Sequence, residues 1–366
     1  MNTELEALVI LTATPNLGSI KIRFLIEHFG SANNALDAEP ADLLGLPGFS
    51  QKTLKSWAFW KNDSSWEKDI ALAEKLNVEI IPYTNPKYPK RLLEISDHPI
   101  LLYVKGSLKP DDSQSIAVVG TRNSTIYGLD MAERISHDLA SMGFTVVSGL
   151  ARGVDTCAHT GALQSGRTIA VIGSGLANIY PRENIELSRM IEEKGAVISE
   201  FPMTTPPDRQ NFPQRNRIVS GMTQGTLLIE APMKSGAMIT MHKAEQQGRP
   251  LFAIPGRCNQ ENFQGNHHLI KQNRAKLIES ATDIAQDFDS LFSFAPSDKK
   301  KTLPSLEKEE LNLLHLLPDE ELTVDDIVHT TKLPVMKLNV LLMSLVIKKV
   351  VKEYPGKIYK KLIPNG

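Results

Sequence analysis

The sequence predicts an α/β protein: a Rossmann-like, doubly wound parallel sheet, flanked by an N-terminal helical domain and a C-terminal winged-helix-like domain. Three observations predict it. First, short β-branched runs recur through residues 116–285: IAVVG (116–120), TVVSG (145–149), TIAVIG (168–173), AVISE (196–200), TLLIEA (226–231) and LFAIPG (251–256). Second, these runs are apolar throughout, as strands covered on both faces must be. Third, amphipathic segments separate them. In YGLDMAERISHDLASMG (127–143), Leu129, Ala132, Ile135, Leu139 and Met142 share one helical face and supply a crossover between parallel strands.

Residues 1–82 read as a helical domain of SAM-like or helix-hairpin-helix-like type. IKIRFLIEHFG (20–30) sets Ile22, Leu25, Ile26 and Phe29 at helical spacing and stops at Gly30. DLLGLPGFSQKTLKSW (42–57) places Pro47-Gly48 between two helical runs. A hairpin of that kind can present backbone N–H groups to a phosphate; the same turn also serves a small packed bundle. Residues 83–292 form the central domain. It begins with a strap, 83–115, whose prolines exclude long helices and whose ILLYV (100–104) suits a strand. SFAPSDKKKTLPS (293–305) is a polar linker. Residues 306–366 complete the chain. TVDDIVHTTKLPVMKLNVLLMSLVIKK turns at Leu333-Pro334, and VVKEYPGKIYKKL reads as a closing hairpin, the order of a winged helix.

Composition narrows the function. The 366 residues hold 41 Lys and Arg against 42 Asp and Glu, a net charge of −1. That excludes a histone-like polycation and an acidic-tail protein, though not a local basic site. With 41% apolar and 23% charged residues, the chain has ample material for buried cores. Two cysteines, Cys157 and Cys258, cannot form a disulfide framework or a zinc knuckle, and suit a reducing cytosol. MNTELEALVILTATP lacks a basic leader region, and no apolar run approaches the ~18 residues of a membrane span. A cytoplasmic protein without a membrane partner is expected.

In an open parallel sheet, ligands bind beyond the carboxyl ends of the strands. Those ends carry Gly120-Thr121-Arg122, Ser148-Gly149-Leu150-Ala151-Arg152-Gly153, Gly173-Ser174-Gly175, Ser199-Glu200, Glu230 and Pro255-Gly256. Small residues let phosphates reach backbone N–H groups, and Arg122 adds a guanidinium suited to bidentate contact. Glycines also simply close tight turns. No G-x-x-x-x-G-K-[ST] occurs, which disfavours a P-loop ATPase. Gly173-x-Gly175-x-x-Asn178 is a broken dinucleotide fingerprint, so NAD is disfavoured even with Glu200 near the place of a ribose-binding acid. Asp155 and His159, four apart on a helix, read as a cap and a buried polar pair. His267-His268 are adjacent and cannot readily share a metal from one helix. No catalytic group, cofactor or metal is expected.

Residues 208–217, Asp-Arg-Gln-Asn-Phe-Pro-Gln-Arg-Asn-Arg, carry Arg209, Arg215 and Arg217 around Phe212. Arginines beside an exposed ring suit single-stranded nucleic acid: charge for phosphates, a face for a base. Residues 201–276 hold ten Lys/Arg and four Asp/Glu, a local excess of six positive charges in a neutral chain. The same spacing also fits Phe212 in the core, with the arginines paired to Glu200 and Glu230.

GTRNSTIYG (120–128), VVSGLARGVDTCAHTGAL (146–163), GRTIAVIGSGLANIYPREN (166–184), ISEFP (198–202), NFPQRNRIVSG (211–221), IEAPMKSGAMIT (229–240) and GRPLFAIPG (248–256) follow one another in this chain. In that order they resemble the bacterial DNA-processing protein A family (DprA, also called Smf). The resemblance implies a single-stranded DNA-binding protein that protects incoming DNA and helps load a RecA-type recombinase in natural transformation. It also implies no enzyme activity and a homodimer formed through the sheet domain. By position, Gly120-Thr121-Arg122 corresponds to the family's phosphate-gripping turn; Ser148, Gly149 and Gly153 are DNA-binding candidates because they sit in the small-residue turn at the next strand's carboxyl end. Phe212, Arg215, Asn216 and Arg217 match its FPxRNR segment, preceded by Arg209, and Ser235-Gly236 match its SG turn. The family's Leu-Ile-x-x-Gly-Ala reads here Leu269-Ile270-Lys271-Gln272-Asn273-Arg274-Ala275, a departure near the end of the sheet domain.

One enzymatic alternative stands beside this. TQGTLLIE, ending at Glu230, is similar to the Gly-rich turn of lysine-decarboxylase-like phosphoribohydrolases, but lacks its Pro-Gly-Gly start. A winged helix can read duplex DNA through its second helix. Here Lys337, Lys348 and Lys349 are outnumbered by Val335, Met336, Leu338, Val340, Leu341 and Leu345, which favours a packing or protein-contact role.

Overall fold

A computed structural model describes residues 3–49, 57, 63–288, 306–318, 320–348, 350–354 and 356–362. The chain divides into two compact units between residues 296 and 297.

The first unit is a nine-stranded sheet with helices on both faces. Its strands are β1 (Val78–Pro82), β2 (Leu101–Gly106), β3 (Ser115–Val119), β4 (Thr145–Ser148), β5 (Thr168–Val171), β6 (Ala196–Ser199), β7 (Gly225–Leu228), β8 (Leu251–Ala253) and β9 (Lys276–Leu277). They lie in the order β1-β2-β6-β5-β4-β3-β7-β8-β9. From β6 to β9 every pairing is parallel, with Ile116 opposite Val146 on one side and Gly225 on the other. The six apolar runs all became strands of this parallel core. The sheet is nonetheless mixed, because β1 and β2 add an antiparallel edge to β6. The expectation that residues 1–82 are helical therefore fails at 78–82. Val78 and Ile81 are buried there by pairing with a strand more than twenty residues away.

Strand pleat assigns the helices to faces. Ile116, Val118 and Val146 pack under α5 (Ile126–Ser141), α6 (Val154–Ser165) and α11 (Ala281–Phe288). Ala117, Val119 and Val147 face the other way, under α8 (Asn211–Gly221), α9 (Gly236–Gln246) and α10 (Gln264–Lys271). The N-terminal helices α1 (Glu4–Ala13), α2 (Ser19–Phe29), α3 (Ala32–Asp37) and α4 (Ser65–Lys75), with α7 (Ile185–Lys194), share a core with Leu101, Tyr103 and Val197. Helix α2 ends at Gly30, whose φ of 84° provides the left-handed stop its sequence announced. In the segment 42–57 the helical run expected before Pro47-Gly48 does not form, since residues 41–48 are successive turns; residues 50–56 lie outside the described residues, as does the linker 293–305.

The second unit contains α12 (Lys308–Leu316), β10 (Leu322–Thr323), α13 (Val324–Thr331), α14 (Val335–Ile347), β11 (Val351–Tyr354) and β12 (Ile358–Lys361). Its small antiparallel sheet runs β10-β12-β11. Leu313, Ile327, Leu338, Leu342, Leu345 and Val351 form its core. Among the described residues no single helix is long and apolar enough to cross a membrane.

Candidate functional site

The carboxyl ends of β3, β4 and β5 surround a small, half-open recess. Arg122, Gly149, Ala151, Arg152, Gly173, Tyr180, Pro181, Phe212 and Arg215 line it. Arg122 follows β3 and is exposed. Its guanidinium carbon lies 5.2 Å from the centroid of the half-buried Phe212 ring, a cation–π distance. Tyr180 approaches the same ring at 6.1 Å. Phe212 stands at the start of α8, and Gly173 makes room for it: a Cβ there would come within 2.9 Å of the ring. The recess is thus a charged rim over two aromatic faces.

A buried polar frame holds the recess. Asp155, at the start of α6, accepts from the N–H groups of Gly149 (3.1 Å) and Ala151 (3.3 Å). Burial pushes its carboxyl up, opposed by the Arg215 guanidinium and these N–H donors. Arg215 is buried and donates to the carbonyl of Val171 at 2.7 Å. Burial lowers its pKa, and Asp155 opposes that shift. The Leu150 N–H donates to His159 Nε2 at 3.3 Å, while His159 Nδ1 lies 2.7 Å from Thr168 Oγ1. Because the Thr168 hydroxyl donates to the Val146 carbonyl, it accepts from His159, which fixes a neutral Nδ1–H tautomer. Asp155 and His159 are both buried polar groups, as their spacing suggested, but Asp155 is not a helix cap: α6 has Gly153 at its N-cap with no side-chain bond, and the carboxylate takes up loop N–H groups instead.

This frame corrects one expectation. The N–H groups of Gly149, Leu150 and Ala151 already have partners inside the protein, so the turn carrying Ser148 and Gly149 is not a free phosphate nest. Ser148 is buried and donates to the Val118 carbonyl. Gly153 adopts φ 74° and passes the 121–122 backbone so closely that a Cβ would lie 2.6 Å from the Thr121 and Arg122 carbonyl oxygens. Gly120 likewise packs on Val154. The Thr121 N–H donates to the Glu230 carbonyl. These residues shape the turn that presents Arg122.

The remaining expected residues separate. Arg217 is not in the recess. Its Nη2 donates to Glu200 at 2.6 Å and its Nε lies 3.4 Å from Asp97, both in a different groove lined also by Lys21 and Gln214. Five residues after Phe212 on one helix, it points away from Arg122's side. Asn216 is buried and ties α8 to α9 through the Gly236 carbonyl at 3.3 Å. Ser235 caps α9 by accepting from the Met238 N–H, and Gly236 is open, with nothing within 4 Å of a Cβ placed there. Arg209 is exposed, two residues before α8. Arg122 and Arg209 make no ion pair among the described residues.

The local charge excess is partly cancelled. Besides Arg217, Arg249 pairs with Glu94, Arg274 with Glu245 and Lys276 with Asp287. Glu230 is fully buried. It accepts from Ser124 Oγ, Thr125 N and Oγ1, and Asn262 Nδ2 at 2.7–3.2 Å. It clamps the loop after Arg122. The Gly173–Asn178 stretch forms no dinucleotide turn: the N–H groups of Gly175 and Ala177 donate to Thr205 and Met203, and a helix begins only at Ile185. The sequence placed Ala151, Arg152 and Gly173 at the strand ends where a ligand is expected without singling them out, and it did not point to Tyr180 and Pro181 as recess residues. An aromatic in the long loop after β5 was the available signal for Tyr180. Asn273, where the resembling family has glycine, takes φ 53°, a region that asparagine tolerates.

Residues 79–289 match the family model described as DNA recombination-mediator protein A. The chain is 30% identical to Protein Smf of Synechocystis sp., covering 98% of this chain and 99% of that protein. Its structure aligns with that of DNA processing protein A from Streptococcus pneumoniae at a TM-score of 0.66 and 33% identity, over 80% of this chain and 99% of that one. It also aligns with DNA processing protein A from Helicobacter pylori at a TM-score of 0.53 and 29% identity, over 59% and 98%. That structure is described as giving insight into a single-stranded DNA binding mode.

Proposed function

The chain belongs to the DNA recombination-mediator protein A family, and from that premise we propose that it binds single-stranded DNA at the recess over Phe212. The observation that carries this reading is the Arg122 guanidinium poised above the Phe212 ring. An unpaired base stacks against Phe212 and Tyr180, which tolerates any base because each has a π face. Arg122, and Arg209 at the approach to α8, neutralise the strand's phosphates. Arg215 and Asp155 hold the floor rigid, so little ordering is needed when the strand arrives.

The strand is held and not chemically altered. Glu230, the residue an enzymatic reading would need, has both oxygens engaged by loop donors, which supports a structural clamp. The protein protects incoming DNA and assists loading of a RecA-type recombinase in transformation, acting in the cytoplasm as a homodimer through the sheet unit. The second unit, with its helices and closing hairpin, is a winged-helix-like module. Lys337 of α14 and Lys348 at its C-cap pair with Glu309 and Glu310, which favours a packing or protein-contact role for this helix over duplex reading.

The test is an anisotropy titration of labelled oligo-dT at several salt concentrations. With about two phosphates neutralised, by Arg122 and Arg209, log K falls against log salt with a slope of about −1.4, at roughly 0.7 per contact on a single strand. Arg122→Ala binding as tightly as wild type at moderate salt would refute the site.

A further inference from the structure

Helix α14 has two apolar sides, and only one of them is used. Leu338, Leu342 and Leu345 are buried in the second unit's core. On the opposite side Met336, Val340, Met343 and Ile347 are 84%, 68%, 69% and 74% exposed. At 3.6 residues per turn these four lie within a stripe about 60° wide. No charge interrupts it. Asn339 and Ser344 flank it, and the nearest lysines, Lys337 and Lys348, are neutralised by Glu309 and Glu310 of the same chain. A solvent-facing helix surface ordinarily carries the charges; here the solvent side is as apolar as the core side.

We infer that this stripe is a self-association surface, occupied by the same stripe of a second copy of the chain. Three features select that occupant. The 4-3-4 spacing from Met336 to Ile347 is the interval at which one helix seam interdigitates with an identical one. A twofold axis then places the same patch on both partners. Two copies also meet without like-charge repulsion, since the stripe is uncharged and its neighbouring lysines are satisfied at home. A nucleic acid or a charged protein surface finds no counter-charge on it. Finally, these four side chains offer on the order of 400 Å² of apolar area per copy, about half of the roughly 800 Å² per partner of a standard interface. The inference is independent of the recess that binds DNA.

The test uses the purified full chain. Sedimentation equilibrium compares wild type with Val340→Glu/Met343→Glu, whose substituted positions are exposed; circular dichroism confirms that the fold is retained. The variant is expected to weigh less than wild type at the same concentrations, while oligo-dT affinity per chain is unchanged. In a Cys157→Ser/Cys258→Ser background, Met343→Cys is expected to give an intermolecular adduct with a short bismaleimide, whereas Asp325→Cys, exposed on α13, gives none. Equal masses, or cross-linking at 343 no better than at 325, would overturn the proposal.

Discussion

Arg215 fills the space that a side chain on Gly149 would need. A Cβ at Gly149 would overlap the guanidinium, with Nη1 the first atom struck. The glycine is therefore required by a neighbour 66 residues along the chain, not by its own dihedral angles. Gly149→Ala must push Arg215 off the Val171 carbonyl, and overpacking of this kind costs about 1–3 kcal/mol. The expected result is a lower urea midpoint together with lost DNA affinity. Gly236→Ala is the contrast. It meets open space and its φ is not positive, so the fold keeps its midpoint, and any loss of affinity reports a strand passing the start of α9. Equal midpoints for wild type and Gly149→Ala would contradict the packing argument.

The stacked pair of Arg122 and Phe212 yields a second prediction. Arg122→Ala removes a charged contact worth about 1.5–3 kcal/mol and makes the salt slope shallower by about 0.7. Phe212→Leu keeps the charge and loses the ring, so affinity falls by about 1–3 kcal/mol while the slope is unchanged. Titrations at four salt concentrations separate the two. A slope that changes with Phe212→Leu and not with Arg122→Ala would reverse the assigned roles.

Arg217 provides the opposite case. Its side chain is 11% exposed and its partner Glu200 13%, so Arg217→Ala leaves a largely buried carboxylate in the wall of the groove without its counter-ion. Burial already pushes the Glu200 carboxyl up, and Arg217 is the main force opposing it. Breaking such a pair costs about 3–5 kcal/mol. The expectation is a large loss of stability, measured by denaturant unfolding, with no change in the salt slope of the folded fraction. Arg217→Gln with Glu200→Gln should recover much of that loss. A shallower slope in Arg217→Ala would return this residue to the DNA surface.

Much of the fold was legible because the strands of the parallel core are apolar on both faces. Runs such as IAVVG and TLLIEA declare burial without needing their neighbours. The strand at 78–82 was not legible, since its burial comes from an antiparallel partner, β2, that local periodicity cannot identify. The site divides the same way. Arg122 and Phe212 announced their chemistry by type, but the spacing left Arg217 open between a phosphate contact and a pairing with Glu200, and only the fold, which sets Glu200 at the end of β6 beside it, decides for the pairing. The turn glycines suggested free N–H groups. Only the fold reveals that Asp155 and His159, four residues apart on α6, take up those donors.

His159 gives a prediction in pH. Burial, reinforced by the nearby Arg215 charge, lowers its pKa to about 3 from a reference of 6.5. In the unfolded chain the imidazole binds its proton as pH falls through 6.5; in the folded chain it stays neutral until about 3. Between those values the unfolded state holds more protons, so acid favours unfolding. The stabilising contribution is complete above pH 6.5 and is lost progressively toward pH 3, at about 1.4 kcal/mol per pH unit. Protonation would also abolish the acceptor for the Leu150 N–H, loosening the loop that floors the recess. His159→Gln removes the titrating group. Its stability deficit relative to wild type should therefore shrink as pH drops from 7 to 4, measured as the difference in urea midpoints. A deficit that holds constant across that range would mean that the imidazole is already charged, or already solvated, in the folded protein.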